Sequence, residues 1–218
     1  GFDRFEEYIA CADYYGATVG RYANRIPGGR LVIEGREYTL PINDFGVSCN
    51  HGGPDAFNRQ MWDAELIEKD ESQGICFSRT SPDMENGFPG NLRVRITYLL
   101  EKNALTIRYE ATTDKTTAVN LTNHSYFNID GYDSGVIFSH RLKVNADTAG
   151  EIDFLARPTG KTLIVKGTAM DLSDGPVLSE RIYAPHPQLQ LFGGYGHSYD
   201  IRADALSREV HGRRLHEM

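Results

Sequence analysis

Asn91-Leu92-Arg93-Val94-Arg95-Ile96-Thr97-Tyr98-Leu99-Leu100 decides the fold class of this chain. Leu92, Val94, Ile96, Tyr98 and Leu100 alternate with Arg93, Arg95, Thr97 and Leu99, nearly the period of a strand with one oily and one wet face. After the turn-like Glu101-Lys102-Asn103 the alternation resumes, with Leu105, Ile107, Tyr109 and Ala111 set against Thr106, Arg108, Glu110 and Thr112. The two stretches therefore read as a hairpin. Working outward, Leu31-Val32-Ile33, a turn at Glu34-Gly35-Arg36, and Tyr38-Thr39-Leu40 closed by Pro41 form a second one. Further strands are predicted over 64–68, 74–80, 118–121, 137–144 and 162–165, and helix only as short turns within 2–12 and 178–182. Many strands with Gly, Pro, Asn and Asp between them predict an all-β fold, a large antiparallel sandwich or barrel. Without an internal repeat, a low-complexity tract or a linker, residues 1–218 are expected to form a single domain.

Composition narrows the function. Twenty-three basic against thirty acidic side chains leave a net charge of −7, with no run of Lys or Arg to meet a phosphate backbone, so nucleic acid is not the expected partner. No stretch approaches the roughly 18 apolar residues of a membrane span, and residues 1–8 are too charged for the apolar core of a signal peptide. Cys11, Cys49 and Cys76 lack CxxC spacing, and none of the seven histidines falls in an HxxxH or HxH pair. Neither a disulfide framework, a metal site nor a cofactor is expected, and the thiols fit a reducing cytoplasm.

Four loops carry unusual residue combinations, and loops on a rigid scaffold are where binding groups tend to sit. The first is Gly16-Ala17-Thr18-Val19-Gly20-Arg21-Tyr22-Ala23-Asn24-Arg25-Ile26. Its Arg and Asn side chains suit hydroxyl oxygens, but composition alone favours a surface turn with its arginines in solvent. The second is Asn50-His51-Gly52-Gly53-Pro54 with Phe57 and Trp62, where glycines would let backbone approach a ligand and aromatic faces could line a sugar. The third, Ser81-Pro82-Asp83-Met84-Glu85-Asn86-Gly87-Phe88-Pro89-Gly90, reads as a long hairpin loop. The fourth, Asn120-Leu121-Thr122-Asn123-His124-Ser125-Tyr126-Phe127-Asn128, puts a polar cluster where a strand should run. Buried polar groups must be hydrogen-bonded, so it suggests a concave functional face as much as a satisfied core histidine.

Together these segments resemble the aldose 1-epimerase (galactose mutarotase) family, in the family's order and at plausible separations, from Phe2 to about Tyr199 and more loosely to Met218. The resemblance implies a galactose mutarotase-like supersandwich with a sugar cleft on one sheet. It also implies that a His protonates the ring oxygen of a free aldohexose while a Glu takes the proton of the anomeric hydroxyl, so that ring opening and reclosure exchange the anomers. By motif position His124 would be the general acid, a role suited to an imidazole whose ordinary pKa is near 6.5. His51 would hold the sugar near that oxygen, Asn24 and Arg25 would bind hydroxyls, and Ser125 and Tyr126 would be further substrate contacts.

Two departures stand against the pattern. In Gly194-Tyr195-Gly196-His197-Ser198-Tyr199 the family usually has Asp, a hydroxyl acceptor, where this chain has Gly196; Asp200 is a substitute by strand periodicity. The family's base belongs to a segment beyond Met218, and neither Glu209 nor Glu217 sits in its motif. The sequence is expected to be this fold with both ends removed, either an incomplete gene product or a divergent member with weak or no epimerase activity, and the leading reading is an aldose 1-epimerase acting on free aldohexoses. The competing classes are a hexose-phosphate epimerase of the same superfamily, which would need more cations than Arg21 and Arg25, a non-catalytic carbohydrate-binding protein, and a scaffold that binds no sugar.

Overall fold

The computed structural model describes residues 1–69 and 72–202, which fall into two compact units, Gly1–Tyr126 and the residues from Phe127 onward. In the first unit helix α1 (Phe5–Ala10) precedes β1 (Thr18–Val19), β2 (Arg25–Pro27), β3 (Arg30–Ile33), β4 (Arg36–Thr39), β5 (Ser48–Asn50), β6 (Asp63–Lys69), β7 (Ser72–Ser81), β8 (Leu92–Glu101), β9 (Ala104–Thr113) and β10 (Thr122–Asn123). Strands β6-β7-β8-β9 form one antiparallel sheet, while β1–β10, β2–β5 and β3–β4 form separate antiparallel pairs.

The alternation that defines β8 is expressed as burial: Leu92, Val94 and Ile96 are enclosed, and Arg93 and Arg95 stand in solvent. The enclosed face packs with Phe57 against Trp62, Tyr98, Ile107, Tyr109, Val119 and Leu121. Each such fully buried aliphatic or aromatic side chain contributes about 1.5–3 kcal/mol. A second cluster of Ile26, Leu40, Cys49 and Phe88 holds β2 and β5 against the loop that follows β7. Both expected hairpins are present, β8–β9 and β3–β4.

The second unit contains β11 (Ala146–Ile152), β12 (Pro158–Ile164), α2 (Leu178–Arg181), α3 (Pro187–Phe192) and β13 (Tyr199–Ile201), with its sheet in the order β12-β11-β13. Its core is Ala149, Val165, Met170 and Leu189, and Tyr195 and Tyr199 pack on it while their hydroxyls donate to the carbonyls of Ala169 and Met170. Helix α3 was not expected, although its signals are visible: Pro187 opens the first turn and Gly193 closes the last with φ 73°.

Two expected strands are absent. Residues 118–121 make a single bridge, in which Asn120 donates its N–H to Arg21 and accepts from Ala23, so that Val119 and Leu121 reach the core without a ladder. Residues 137–144 are irregular because their backbone bonds go to isolated partners: His140 N–H to Ile137, Leu142 N–H to Pro176 and Val144 N–H to Leu172. Among the described residues no helix is long and apolar enough to cross a membrane.

Candidate active site

His124 is the first residue beyond β10, and its backbone is held on both sides. Its N–H donates to the carbonyl of Ala17 at 2.9 Å, and its carbonyl accepts from Gly16 at 3.1 Å. Next to it the Asn123 side chain donates to the Gly16 carbonyl and the Tyr98 hydroxyl and accepts from the Ser125 N–H. The polar residues of this segment are therefore the fasteners that fix one imidazole on the end of a two-residue strand. Among the described residues no side chain hydrogen-bonds to the His124 ring.

His51 arrives from the other side, one residue past β5. It and Asn24 both lie in the left-handed region, at φ 54° and 69°, and bind each other reciprocally. The His51 N–H donates to the Asn24 carbonyl at 3.2 Å, and the Asn24 N–H donates to His51 Nδ1 at 3.0 Å. A non-glycine residue held there costs on the order of 1–3 kcal/mol, so the surrounding contacts impose the conformation. With Nδ1 accepting, neutral His51 carries its proton on Nε2 and can donate only from that atom. The Asn24 Oδ1 accepts from the Arg25 N–H. Arg25 makes a two-point ion pair with Asp44, Nε to Oδ2 at 2.8 Å and Nη2 to Oδ1 at 3.3 Å.

The two imidazoles meet edge to face, with ring centroids 5.2 Å apart. Tyr14 packs on both, at 4.9 Å from His51 and 5.7 Å from His124, and Tyr126 lies 5.0 Å from His124. Burial first, then His124 and the Arg25 guanidinium, together hold the His51 pKa down at about 4 against the opposing pull of Asp44. Folded His51 is thus neutral where an unfolded imidazole, near 6.5, takes up a proton. Its contribution to stability is complete above pH about 6.5 and is lost as pH falls toward 4, by on the order of 2 kcal/mol after solvent screening. Urea titrations between pH 7.5 and 4.5 should show a steeper loss of stability in the wild type than in His51→Gln. Equal slopes would remove His51 as the cause.

The profile of the family described as aldose 1-epimerase matches residues 1–213. The chain belongs to the aldose 1-epimerase family. It is 38% identical over 208 residues to the galactose mutarotase of Bos taurus, covering 95% of this chain and 58% of that relative. It is 35% identical over 206 residues to the aldose 1-epimerase of Escherichia coli K12, covering 94% and 58%. The crystal structure of galactose 1-epimerase from Lactobacillus acidophilus superposes with a TM-score of 0.85 at 28% identity, covering 94% of this chain and 60% of that one. The fold is accordingly the antiparallel, mostly strand-built fold of the galactose mutarotases, and the chain spans somewhat more than half the length of these relatives.

Within this family fold the structure brings Asn24, Arg25, His51, His124 and Tyr126 into one contiguous set, linked through hydrogen bonds and ring contacts. Ser125 is exposed beside them, its N–H held by Asn123. Tyr14 was missed by sequence reasoning; its signal was its place two residues before the Gly16 that opens the first motif. The expectation of solvent-facing arginines is corrected. Arg21 is 2% exposed and the Arg25 side chain is mostly enclosed with Asp44, because both guanidiniums have internal acceptors. Gly52 is also used differently than expected, since the backbone it admits is the chain's own. At φ +93°, a Cβ there would stand 2.1 Å from the Gly20 carbonyl oxygen.

In the second unit Gly196 has a local cause: a Cβ at that position would lie 1.9 Å from the Phe192 ring. Asp200, named as a substitute acceptor, accepts from the Thr148 hydroxyl at 2.8 Å. Glu209 and Glu217 lie outside the described residues.

Proposed function

We propose that this chain carries the acid and sugar-positioning half of an aldose 1-epimerase acting on free aldohexoses such as galactose or glucose. The observation that carries the reading is the His51–His124 pair. One imidazole is fixed in the neutral, Nε2–H form by Asn24, and the other stands beside it with no hydrogen-bond partner among the described residues.

The chemistry follows from these roles. Protonated His124 gives its proton to the ring oxygen as the bond from that oxygen to C1 breaks, and a base removes the proton of the C1 hydroxyl to give the aldehyde. Rotation about C1–C2 and reclosure on the other face complete the exchange of anomers. The Nε2–H of His51 donates to the same region of the sugar, and the Asn24 amide and Arg25 take hydroxyls, the latter positioned by Asp44. Tyr14 and Tyr126 offer ring faces to the apolar side of the pyranose. Three free thiols, two of them buried, support a cytoplasmic location.

Non-catalytic sugar binding is favoured by one feature. Asp44, the carboxylate that acts electrostatically on both His51 and Tyr14, has both oxygens bonded to Arg25 and is unavailable as the base. Polarimetry of freshly dissolved α-D-galactose and α-D-glucose separates the readings. Mutarotation faster than in buffer is expected for the epimerase; calorimetric binding without acceleration would leave only the binding role.

A further inference from the structure

Among the described residues strand β9 is an outer edge of the four-stranded sheet, and it lacks the bulge, the Pro and the short length that often keep such an edge from pairing. All ten residues, Ala104–Thr113, are in unbroken register with β8, without a bulge. The strand contains neither Pro nor Lys, and among the described residues no other strand pairs with its outer side. Long, regular edges of this kind are templates for another strand. The opposite edge differs: β6 carries Asp63, Glu65 and Glu68, so a copy of itself would bring carboxylates together.

The sequence of β9 says which strand fits. Arg108 and Glu110 share the solvent face of the sheet, where Arg108 stands across from the neutral Thr97 and Glu110 across from Arg95. We propose that β9 pairs antiparallel with β9 of a second copy of this chain, in the register that sets each Tyr109 opposite its counterpart. Arg108 then faces Glu110 of the partner subunit, and the exchange occurs twice about the twofold axis. In the same register Thr106 faces Thr112 of the partner subunit, and on the core-facing side Ile107 faces Ala111 of the partner subunit. Opposite charges, Thr–Thr and aromatic pairs are the cross-strand contacts that stabilise antiparallel ladders. Moving the axis by one residue sets Arg108 or Glu110 opposite itself. A shift of the register by an odd number turns the faces over. The charges therefore select this register.

Sedimentation velocity of the full 218-residue chain over a range of concentrations reads the association. A concentration-dependent dimer is expected for the wild type. Arg108→Glu places carboxylates opposite one another across the interface but only Thr97 across its own sheet, so the fold is insulated, and the dimer should weaken about tenfold or more. Glu110→Arg should do the same through cation repulsion, with circular dichroism confirming that each variant is folded. An equimolar mixture of the two variants pairs opposite charges at both positions and should associate as strongly as the wild type. A wild type that stays monomeric at every concentration, an unweakened Arg108→Glu dimer, or a mixture that fails to associate overturns the proposal.

Discussion

Under the proposed mechanism, replacing His124 with alanine is expected to lower the acceleration of mutarotation about 10²- to 10⁴-fold, the usual size of one general acid's contribution. The fold should tolerate the change, because among the described residues the ring is held by packing on Tyr14, His51 and Tyr126 and by no hydrogen bond. The backbone bonds to Gly16 and Ala17 that locate the residue survive the truncation. His51→Ala should instead act mainly on KM, the outcome expected of the sugar-positioning role proposed for its Nε2–H. The pair is also electrically coupled: after burial, His124 is the largest influence holding down the pKa of His51. In His124→Ala both influences weaken, as water enters the vacated space and the neighbouring imidazole is gone. The His51 titration followed by NMR should therefore move up from about 4 toward the ordinary imidazole range. Undiminished acceleration in the alanine variant would show that the proton comes from another group.

Much of the architecture was legible because it rests on period-two burial. Strands β8 and β9 turn one face toward a single cluster, so their patterns could be read directly from Leu92 to Ala111. Where the signal failed, apolar alternation was present without a partner strand. Phe138, Leu142 and Val144 have the spacing of a strand, but a strand is defined by a neighbour, and here the backbone groups find separate loop carbonyls. Residues 118–121 failed for the same reason, one bridge standing where a ladder was expected. Helix α3 is too short for periodicity to register, and only its Pro and Gly boundaries marked it.

The candidate site was legible as motifs and not as geometry. The four segments pack together, and several of their polar residues serve that packing. Gly52 exists to clear the Gly20 carbonyl, and Asn123 ties the His124 segment to Gly16 and Tyr98. Asn43 closes on both backbone groups of Asn50, the residue before His51. Nothing in the sequence separates such fasteners from groups that meet a substrate, since both are Asn, Gly and Arg in loops. The separation comes from counting partners: among the described residues the His124 side chain has no hydrogen bond, while both terminal nitrogens of Arg21 are engaged by enclosed acceptors.

Arg21 is where that distinction has its largest expected effect on stability. Its Nη1 donates to the carbonyls of Pro89 and Gly90, each at 2.9 Å, and to that of Phe88 at 3.4 Å. Its Nη2 donates to the Ser81 carbonyl and hydroxyl and to the Pro82 carbonyl. Ser81 passes the contact to Glu85, which also accepts both terminal nitrogens of Arg79. The Arg21 carbonyl meanwhile accepts from Asn120, so one residue joins the first, third and fourth motifs. Arg21→Ala should destabilise the chain by about 3–5 kcal/mol in urea unfolding, since the acceptors left behind are enclosed and Glu85 loses a cationic neighbour. That is a large share of the roughly 5–15 kcal/mol that holds a typical domain together. Arg21→Lys should recover only part of the loss, because an ammonium on a single stem cannot fork toward both ends of the 81–90 loop. Hydrogen exchange in that loop should rise in both variants. If Arg21→Ala unfolds with the wild-type midpoint, the loop is held by Arg79, Glu85 and the Phe88 core instead, and Arg21 becomes available for the role in sugar binding that its burial now excludes.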